Sequence, residues 1–281
     1  MKKYLSLVKF SHTIFALPFA ILGLSIALVQ QNSFNYWSIA FVVLCMVFAR
    51  NSAMGFNRFL DRDIDKKNPR TAVREVPSGK ITSKSALLFV VVNSVLFVAT
   101  TWFINSLVFY LSFVALFVVL GYSFTKRFTF LCHFVLGLGL GLAPLGSYLT
   151  VFPSFDLVPI LLGLAVLTWV SGFDIIYALQ DEEFDRDENL HSVPAKFGGV
   201  NAIRISRVLH ILSAATIWFI GYYANSGILY FIGAFIYTVF LISQHLLVKP
   251  NDLSRINLAF FTMNGLASVV FSALAVCDFV L

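Results

Sequence analysis

Long apolar runs extend along almost the whole chain, and the polar connections between them are short except at residues 55–84 and 180–207. A chain of 281 residues that is 59% hydrophobic cannot hide this surface in a soluble core, so lipid must cover most of it. A helix needs about 20 apolar residues to cross a membrane. Nine runs approach this length, at residues 13–30, 36–54, 85–103, 106–122, 129–150, 157–178, 207–224, 228–248 and 258–278. We predict an all-α membrane protein with nine transmembrane helices in one bundle, and a single domain over residues 1–281.

Basic residues are confined to one side of this predicted bundle. All 20 Lys and Arg residues lie before the first run, or at and beyond the ends of runs two, four, six and eight. Cytoplasmic connections of membrane proteins are enriched in Lys and Arg. The N-terminus is therefore predicted to be cytoplasmic and the C-terminus external. Topology also accounts for the formal net charge of +6, so we expect no nucleic-acid partner.

Two features inside the apolar runs concern helix geometry. Pro18 lies within the first run, where it is predicted to kink the helix. The sequence GLGLG at residues 137–141 has the glycine content of a nucleotide-binding loop, but it lies within the fifth run. Small residues in a membrane helix permit close approach of a neighbouring helix. This segment is therefore predicted to be a packing surface.

The densest group of charges, NRFLDRDIDKKNPR at residues 57–70, directly follows the second run. At 3.6 residues per turn, Asn57, Asp61 and Asp65 lie along one stripe of a helix, about 6 Å apart in rise at each step. Asp63 points away from this stripe. One such motif alone is compatible with a merely solvated helix end.

A second acidic motif, DIIYALQDEEFD at residues 174–185, follows the sixth run. It places Asp174, Tyr177, Asp181 and Asp185 along one helical stripe. Runs two and six cross in the same direction, so both stripes end on the same side. Carboxylates one turn apart suit Mg²⁺ ions that keep several waters and bind the oxygens of a diphosphate. A carboxylate inside a span, such as Asp174, is costly unless it has a partner.

The two motifs resemble the N-x-x-x-D-x-x-x-D and D-x-x-x-D signatures of the UbiA superfamily of intramembrane prenyltransferases. The similarity includes HTIFALPFA, NPRTAVREVPSG, YSFTKRFT and LHSVPAKFG, so it covers most of the chain. It is nearest to the 4-hydroxybenzoate polyprenyltransferase-like branch. The resemblance implies Mg²⁺-dependent transfer of a polyprenyl group from its diphosphate to 4-hydroxybenzoate, in ubiquinone biosynthesis. A dihydroxynaphthoate, in menaquinone biosynthesis, is the alternative acceptor.

The resemblance also implies roles for individual residues. The metal ligands that it implies are Asn57, Asp61, Asp65, Asp181 and Asp185, and the four aspartates are also the catalytic residues. Lys126 and Arg127 match a basic pair that, with the Asn57 side chain, is expected to bind the diphosphate. Arg50 lies seven residues before Asn57 and faces the same pocket from deeper, where it is expected to bind the acceptor carboxylate or the diphosphate. Tyr177 and Asp174 are assigned to the acceptor.

Other expectations concern the surroundings of the site. Arg70, Arg74 and Lys80 follow the first motif and are interpreted as general cytoplasmic positive charges. The resemblance places the protein in the inner membrane of a bacterial cell, with the site facing the cytoplasm. Its expected partners are the polyprenyl diphosphate, a small aromatic acid and membrane lipid, with no obligate protein partner.

Two other classes of membrane protein carry aspartates inside their spans. Alcohol phosphotransferases require D-G-x-x-A-R upstream of the aspartates, and ARNSAMGFNRFLD lacks this element. Secondary transporters place their carboxylates near the membrane midplane, whereas here all but Asp174 lie at one end. A transporter remains the alternative from a different functional class.

Overall fold

The fold is helical throughout the part of the chain that the computed structural model describes, residues 2–8, 15–32 and 35–281. Twelve α-helices lie in these residues, together with a 3₁₀ turn at Leu179–Asp181 and a π-helix at Leu258–Met263. In chain order they are α1 (Lys2–Leu7), α2 (Leu17–Gln31), α3 (Tyr36–Leu60), α4 (Arg62–Lys67), α5 (Ser83–Trp102), α6 (Ser106–Thr125), α7 (Cys132–Leu149), α8 (Leu157–Ala178), α9 (Glu182–Asp187), α10 (Val193–Tyr223), α11 (Ile228–Leu247) and α12 (Asn264–Val280). The predicted all-α class is confirmed.

Eight helical segments of the described residues are long and apolar enough to cross a membrane. They are α3, α5, α6, α7, α8 with its extension, α10, α11 and the π-helix with α12. A ninth apolar helix, α2, has 15 residues and is shorter than a full span. Residues 13 and 14 of the first predicted run lie outside the described residues. Each predicted run thus corresponds to a helix, while nine crossings and the orientation of the termini stay predictions.

The predicted kink at Pro18 is wrong. Pro18 lies in the first turn of α2 rather than in its interior. The first backbone N–H groups of a helix have no partner within that helix, so proline removes no hydrogen bond there. The chain therefore uses this proline to begin a helix.

Most of the long connection between runs six and seven is helical. α10 begins at Val193, fourteen positions before the predicted start at residue 207. Ser192 caps it by accepting a hydrogen bond from the Ala195 N–H (3.3 Å). Hydropathy could not reveal this polar part of the helix. Gly198, with φ 76°, separates its first turns from the long remainder.

α7 and α8 pack closely through small residues. A Cβ atom on Gly137 would lie 2.5 Å from the Leu167 carbonyl oxygen, and one on Gly141 would lie 2.6 Å from the Gly163 carbonyl oxygen. Any larger side chain would force the two helices apart. The predicted packing role of the GLGLG segment is confirmed.

A buried asparagine joins the last helix to the rest of the bundle. Oδ1 of Asn264 accepts hydrogen bonds from Nε1 of Trp169 on α8 (2.7 Å) and Nε2 of Gln244 on α11 (2.8 Å). Its Nδ2 donates to two carbonyls of the π-helix, at 3.0 and 3.2 Å. One turn further on, the Ser268 hydroxyl donates to the Phe15 carbonyl before α2 (3.2 Å). The end of the chain thus closes the bundle against its beginning.

Basic connections from different parts of the chain meet at one end of the bundle. The carbonyl of Lys126, after α6, accepts a hydrogen bond from the His191 N–H, before α10 (2.7 Å). Lys67 of α4 pairs with Glu188, after α9 (2.5 Å). Both acidic motifs therefore lie at the basic end of the bundle.

Candidate active site

The first acidic motif forms where α3 passes into α4. The Asp61 N–H bonds to the Asn57 carbonyl (2.9 Å), and the Asp65 N–H bonds to the Asp61 carbonyl (2.7 Å). These helical bonds keep the three side chains on one stripe, as predicted. The Asp63 side chain is 82% exposed and lies off this stripe.

Asp61 is the most heavily paired carboxylate of the site. Its side chain is 1% exposed, and Lys126 Nζ and Arg127 Nη1 each lie 2.9 Å from one of its oxygens. Asn57 Nδ2 donates to it as well (3.0 Å). Arg127 Nη2 also donates to the Leu60 carbonyl (3.1 Å). The predicted diphosphate-binding pair is thus positioned on the first motif by the connection after α6.

Asp65 has its own cation. Both of its carboxylate oxygens accept hydrogen bonds from Arg74 Nη1, at 2.7 and 2.9 Å. The Thr71 hydroxyl donates to the Asp65 carbonyl (3.0 Å), which folds the following segment back onto the motif. Arg74 is therefore a member of the site, and its interpretation as a general surface charge is wrong.

The predicted single stripe of the second acidic motif required one uninterrupted α-helix, and the structure does not show one. α8 ends at Ala178, and the 3₁₀ turn at Leu179–Asp181 precedes α9. Asp181 accepts hydrogen bonds from Asn68 Nδ2 (3.0 Å) and from two nitrogens of Arg70. Asn68 and Arg70 follow the first motif, so that segment reaches across and holds the second. Arg70 is likewise a member of the site.

The Arg70 guanidinium stays charged in this position. Burial lowers the pKa of Arg70, but the hydrogen bonds and negative charge of Asp181 outweigh that effect and leave it above its ordinary value. The guanidinium carbon also lies 5.6 Å from the ring centre of Tyr177. Tyr177 in turn stacks on Phe260, with ring centres 4.0 Å apart. Tyr177 therefore lies beside Arg70, the cation that pairs with the second motif. Its predicted contact with the acceptor stays a prediction.

Asp185, the last of the four motif aspartates, lies near Ser192, which precedes α10. Within the described residues, no three His, Cys, Asp or Glu side chains converge into a closed metal cage. Oxygen donors held in this open arrangement need a ligand to complete the coordination of a metal ion.

An apolar cavity of about 360 Å³ lies between α3, α5, α6 and α7. Its lining extends from Tyr122, one turn before Lys126, to Thr150 just beyond α7. Arg50 lines it too, eleven residues and therefore about 16 Å of helical rise before Asp61. One guanidinium nitrogen of Arg50 donates to the Val8 carbonyl (3.3 Å). As predicted, Arg50 is deeper than the motif on the same helix.

Asp174 lies on α8, seven residues before Asp181. Its Oδ2 lies 2.7 Å from Nδ1 of His133, a buried residue of α7. The partner that a carboxylate inside a span requires is thus an imidazole of the neighbouring helix. The predicted assignment of Asp174 to the acceptor stays a prediction.

Sequence reasoning missed or set aside five residues of this site: Asn68, Arg70, Arg74, Tyr122 and His133. Local spacing carried part of the signal. Tyr122 precedes Lys126 by one helical turn, and Arg70 precedes Arg74 by the same four positions. No local pattern could have paired His133 with Asp174, because 41 positions separate them.

A model of the UbiA prenyltransferase family matches residues 16–266 of the sequence. The chain belongs to this family. The predicted enzyme class, a prenyltransferase, is therefore confirmed. UbiA proteins are integral membrane enzymes, in agreement with the apolar helices of this chain.

Two bacterial UbiA relatives are named 4-hydroxybenzoate octaprenyltransferase. The protein of Francisella tularensis subsp. tularensis is 26% identical over 226 residues, which cover 80% of this chain and 79% of that protein. The protein of Methylococcus capsulatus is 30% identical over 235 residues, covering 84% and 80%. The similarity therefore extends over most of each chain.

Solved structures of UbiA homologues share the fold. A homologue from Aeropyrum pernix in its apo form superposes with a TM-score of 0.85 at 28% identity, covering 95% of this chain and 98% of that one. A homologue from Archaeoglobus fulgidus, bound to GPP and Mg²⁺, superposes with a TM-score of 0.72 at 20% identity, covering 99% and 100%.

Proposed function

We propose that this protein transfers a polyprenyl group from a polyprenyl diphosphate to a small aromatic acid, with Mg²⁺ as its cofactor. The observation that carries the proposal is the meeting of two aspartate motifs and four cations beside an apolar cavity. A diphosphate needs the charged groups, and a polyprenyl chain needs the apolar cavity. One amphiphilic substrate accounts for both, and membership of the UbiA family supports it.

The oxygen donors of the two motifs fit Mg²⁺. The ligands that we propose are Asn57, Asp61, Asp65, Asp181 and Asp185. Mg²⁺ keeps several waters and takes only one or two carboxylates, so it suits an open arrangement completed by substrate oxygens. When bound, the metal would neutralise the diphosphate and make it a better leaving group. The Archaeoglobus homologue binds GPP together with Mg²⁺, which supports a site for a prenyl diphosphate and this metal.

An exchange of partners would admit the substrate. Lys126 and Arg127 now neutralise Asp61, and Arg70 neutralises Asp181. If these carboxylates bound the metal, Lys126, Arg127 and Arg70 would be free to donate charge-assisted hydrogen bonds to the phosphate oxygens.

The reaction separates charge across the boundary between the motifs and the cavity. The allylic C–O bond breaks, and the diphosphate keeps the electron pair beside Lys126 and Arg127. The allylic cation forms next to an apolar cavity, which excludes competing water. The electron-rich ring of the acceptor attacks it, and loss of the ring proton restores aromaticity.

The acceptor would bind deeper than the diphosphate. We assign its carboxylate to Arg50, because this guanidinium lines the apolar cavity about 16 Å of helical rise deeper than Asp61. Tyr177 and Asp174 complete the acceptor side in this proposal. The acceptor that we propose is 4-hydroxybenzoate, as in the names of the Francisella and Methylococcus relatives, on the route to ubiquinone.

We further propose that residues 1–281 act as one domain in the bacterial inner membrane, surrounded by lipid and needing no other protein. The clustering of basic residues at the end that holds both motifs supports a site facing the cytoplasm. A reporter fused after Lys126 should then be cytoplasmic, and one fused at Leu281 external. A cytoplasmic reporter at Leu281 would contradict nine crossings.

The proposed reaction can be tested directly in membranes that contain the protein. They are incubated with Mg²⁺, a polyprenyl diphosphate and either 4-hydroxybenzoate or a dihydroxynaphthoate, and the products are identified by mass. We expect prenylated 4-hydroxybenzoate, its loss with EDTA and its return with added Mg²⁺. Prenylation of the dihydroxynaphthoate alone would move the enzyme to menaquinone synthesis. No prenylated product from either acid would refute the proposal.

A further inference from the structure

In the half of α8 nearest the acidic motifs, one polar side chain is partly exposed among buried residues. From Ala165 to Ile176, every residue is buried except Leu167 and Asp174. The Asp174 side chain is 25% exposed although its neighbours in the helix are not. Asp174 precedes Tyr177 by about one turn of α8, and Tyr177 contacts Arg70, the cation that pairs with Asp181. The Asp174 carboxylate therefore lies on the same side of α8 as the site, about 10 Å deeper than Asp181 by helical rise.

The apolar cavity spans the depth at which Asp174 lies. Its lining includes Tyr122, one turn before Lys126, and Arg50, eleven residues before Asp61. Asp174 thus lies at a depth between the proposed metal ligands and Arg50. An aromatic acid bound at Arg50 would direct its far edge toward the level of Asp174, about 6 Å nearer the surface by helical rise.

His133 determines how Asp174 presents its carboxylate. The Val193 N–H donates to Nε2 of His133 (3.3 Å), so Nε2 is an acceptor and carries no proton. The proton is then on Nδ1, which donates to Asp174 Oδ2 (2.7 Å). His133 is 3% exposed, so its ring is held in this orientation. The imidazole thus fixes Oδ2 of Asp174, and Oδ1 has no hydrogen-bond partner among the described residues.

We propose that Asp174, oriented by His133, is the base that removes the ring proton of the acceptor; the inference rests on the proposed function. The allylic C–O bond breaks with its electron pair on the diphosphate, and the ring carbon forms the new C–C bond. The C–H bond at that carbon then breaks, its electrons restore the aromatic ring, and the proton passes to Asp174 Oδ1. The carboxylic acid later returns the proton to water. His133 is a positioning residue.

Asp174→Asn tests the base with minimal disturbance. The amide oxygen can still accept the hydrogen bond from His133, so the contact between α7 and α8 survives while the base is lost. We expect kcat to fall by about 100-fold or more, the usual contribution of a general base, with the KM of the prenyl diphosphate unchanged. A ring-deuterated acceptor should react at the wild-type rate in the wild-type enzyme and more slowly than its protiated form in Asp174→Asn.

His133 provides a matched pair of variants. His133→Gln keeps a donor toward Asp174 and should retain most of kcat, whereas His133→Leu removes the donor and should approach Asp174→Asn. Asp63→Asn, at an exposed position outside the site, is the control. Ionisation can be followed separately through exchange of ¹⁸O between bridging and non-bridging positions of the diphosphate, and Asp174→Asn should retain it.

The outcomes separate the two proposals. If the wild-type enzyme prenylates the aromatic acid but Asp174→Asn keeps its kcat and shows no deuterium effect, Asp174 is not the base and its pair with His133 is structural. If Asp174→Asn does not fold, equal kcat in His133→Gln and His133→Leu overturns the orienting role, and with it the proposal. If the wild-type enzyme prenylates no aromatic acid, the proposed function fails and the base fails with it.

Discussion

The two aspartate motifs differ in how deeply their side chains are buried and in which segments supply the cations that pair with them. The side chains of Asp61 and Asp65 are 1% and 5% exposed, whereas that of Asp181 is 18% exposed. The first motif is enclosed by the connection after α6 and by its own following segment. Asp181 is held by Asn68 and Arg70, which also belong to that following segment. The cations that pair with the first motif therefore come from the first half of the chain. The second motif also takes its cation from the first half.

The deeper residues of the two halves differ in charge. α3 carries Arg50 and α8 carries Asp174, each inside the membrane span and below its own motif. A cation on one side and an anion on the other give the lower part of the site a direction. An aromatic acid fits that direction, with its carboxylate toward Arg50 and the ring carbon that loses a proton toward Asp174.

The largest expected effect comes from removing Asp61. Asp61→Ala should lower the rate of product formation about a thousandfold or more, because several kcal/mol of metal-assisted charge stabilisation would be lost. It should also lower the unfolding temperature in detergent, since Lys126 and Arg127 lose their shared partner. Asp63→Ala should leave both rate and stability unchanged. Full activity in Asp61→Ala would remove Asp61 from the mechanism.

Asp181→Ala sharpens the comparison, because its effects on rate and on stability should separate. We expect a similar loss of rate, as Asp181 is a proposed metal ligand. The unfolding temperature should fall less than in Asp61→Ala, because Arg70 is partly solvated at the edge of the site. Equal destabilisation of both variants would contradict the greater enclosure of the first motif.

The next effect concerns the deep cation. Arg50→Ala should raise the KM of the aromatic acid, with a loss of about 2 to 5 kcal/mol for removing one partner of a buried charge pair. The KM of the prenyl diphosphate should stay nearly unchanged. Arg50→Lys should recover little, because an ammonium group cannot reproduce the bidentate geometry of a guanidinium. A changed donor KM with an unchanged acceptor KM would assign Arg50 to the diphosphate.

A smaller effect distinguishes Arg70 from Arg74, which both lie in the segment after the first acidic motif. Arg74→Gln leaves Asp65 buried without its cation and should cost about 1.5 to 3 kcal/mol of stability. Arg70→Gln should cost less, because Asp181 is more exposed and keeps its hydrogen bond from Asn68. Thermal unfolding of both variants in detergent measures the difference. The opposite order would mean that the second motif is the more enclosed one.

The smallest effect is expected at the outer contact between the halves. Lys67 pairs with Glu188, but the Lys67 side chain is 60% exposed. Glu188→Gln should therefore change stability by about 1 kcal/mol or less, because solvent screens such pairs. A change as large as that in Arg74→Gln would show that this pair, rather than Arg70, joins the halves.

The sequence predicted what depends on local periodicity. The apolar runs gave the helices, and steps of four placed Asp61 and Asp65 together with Asp63 outside. It could not predict contacts between distant segments: 113 positions separate Asn68 from Asp181. Nor could hydropathy reveal the start of α10, because its first turns contain polar residues such as Lys196, Asn201 and Arg204.

The hydrogen bonds of Asn264 have a consequence for biogenesis. Trp169 and Gln244 enter the membrane before the segment that supplies their acceptor has been synthesised. Until then, their donors must turn to lipid headgroups, to water or to the insertion machinery, because the hydrocarbon layer offers no acceptor. This hydrogen-bond network therefore forms only after the last helix is inserted. A chain that stops short of Asn264 leaves both donors without their acceptor.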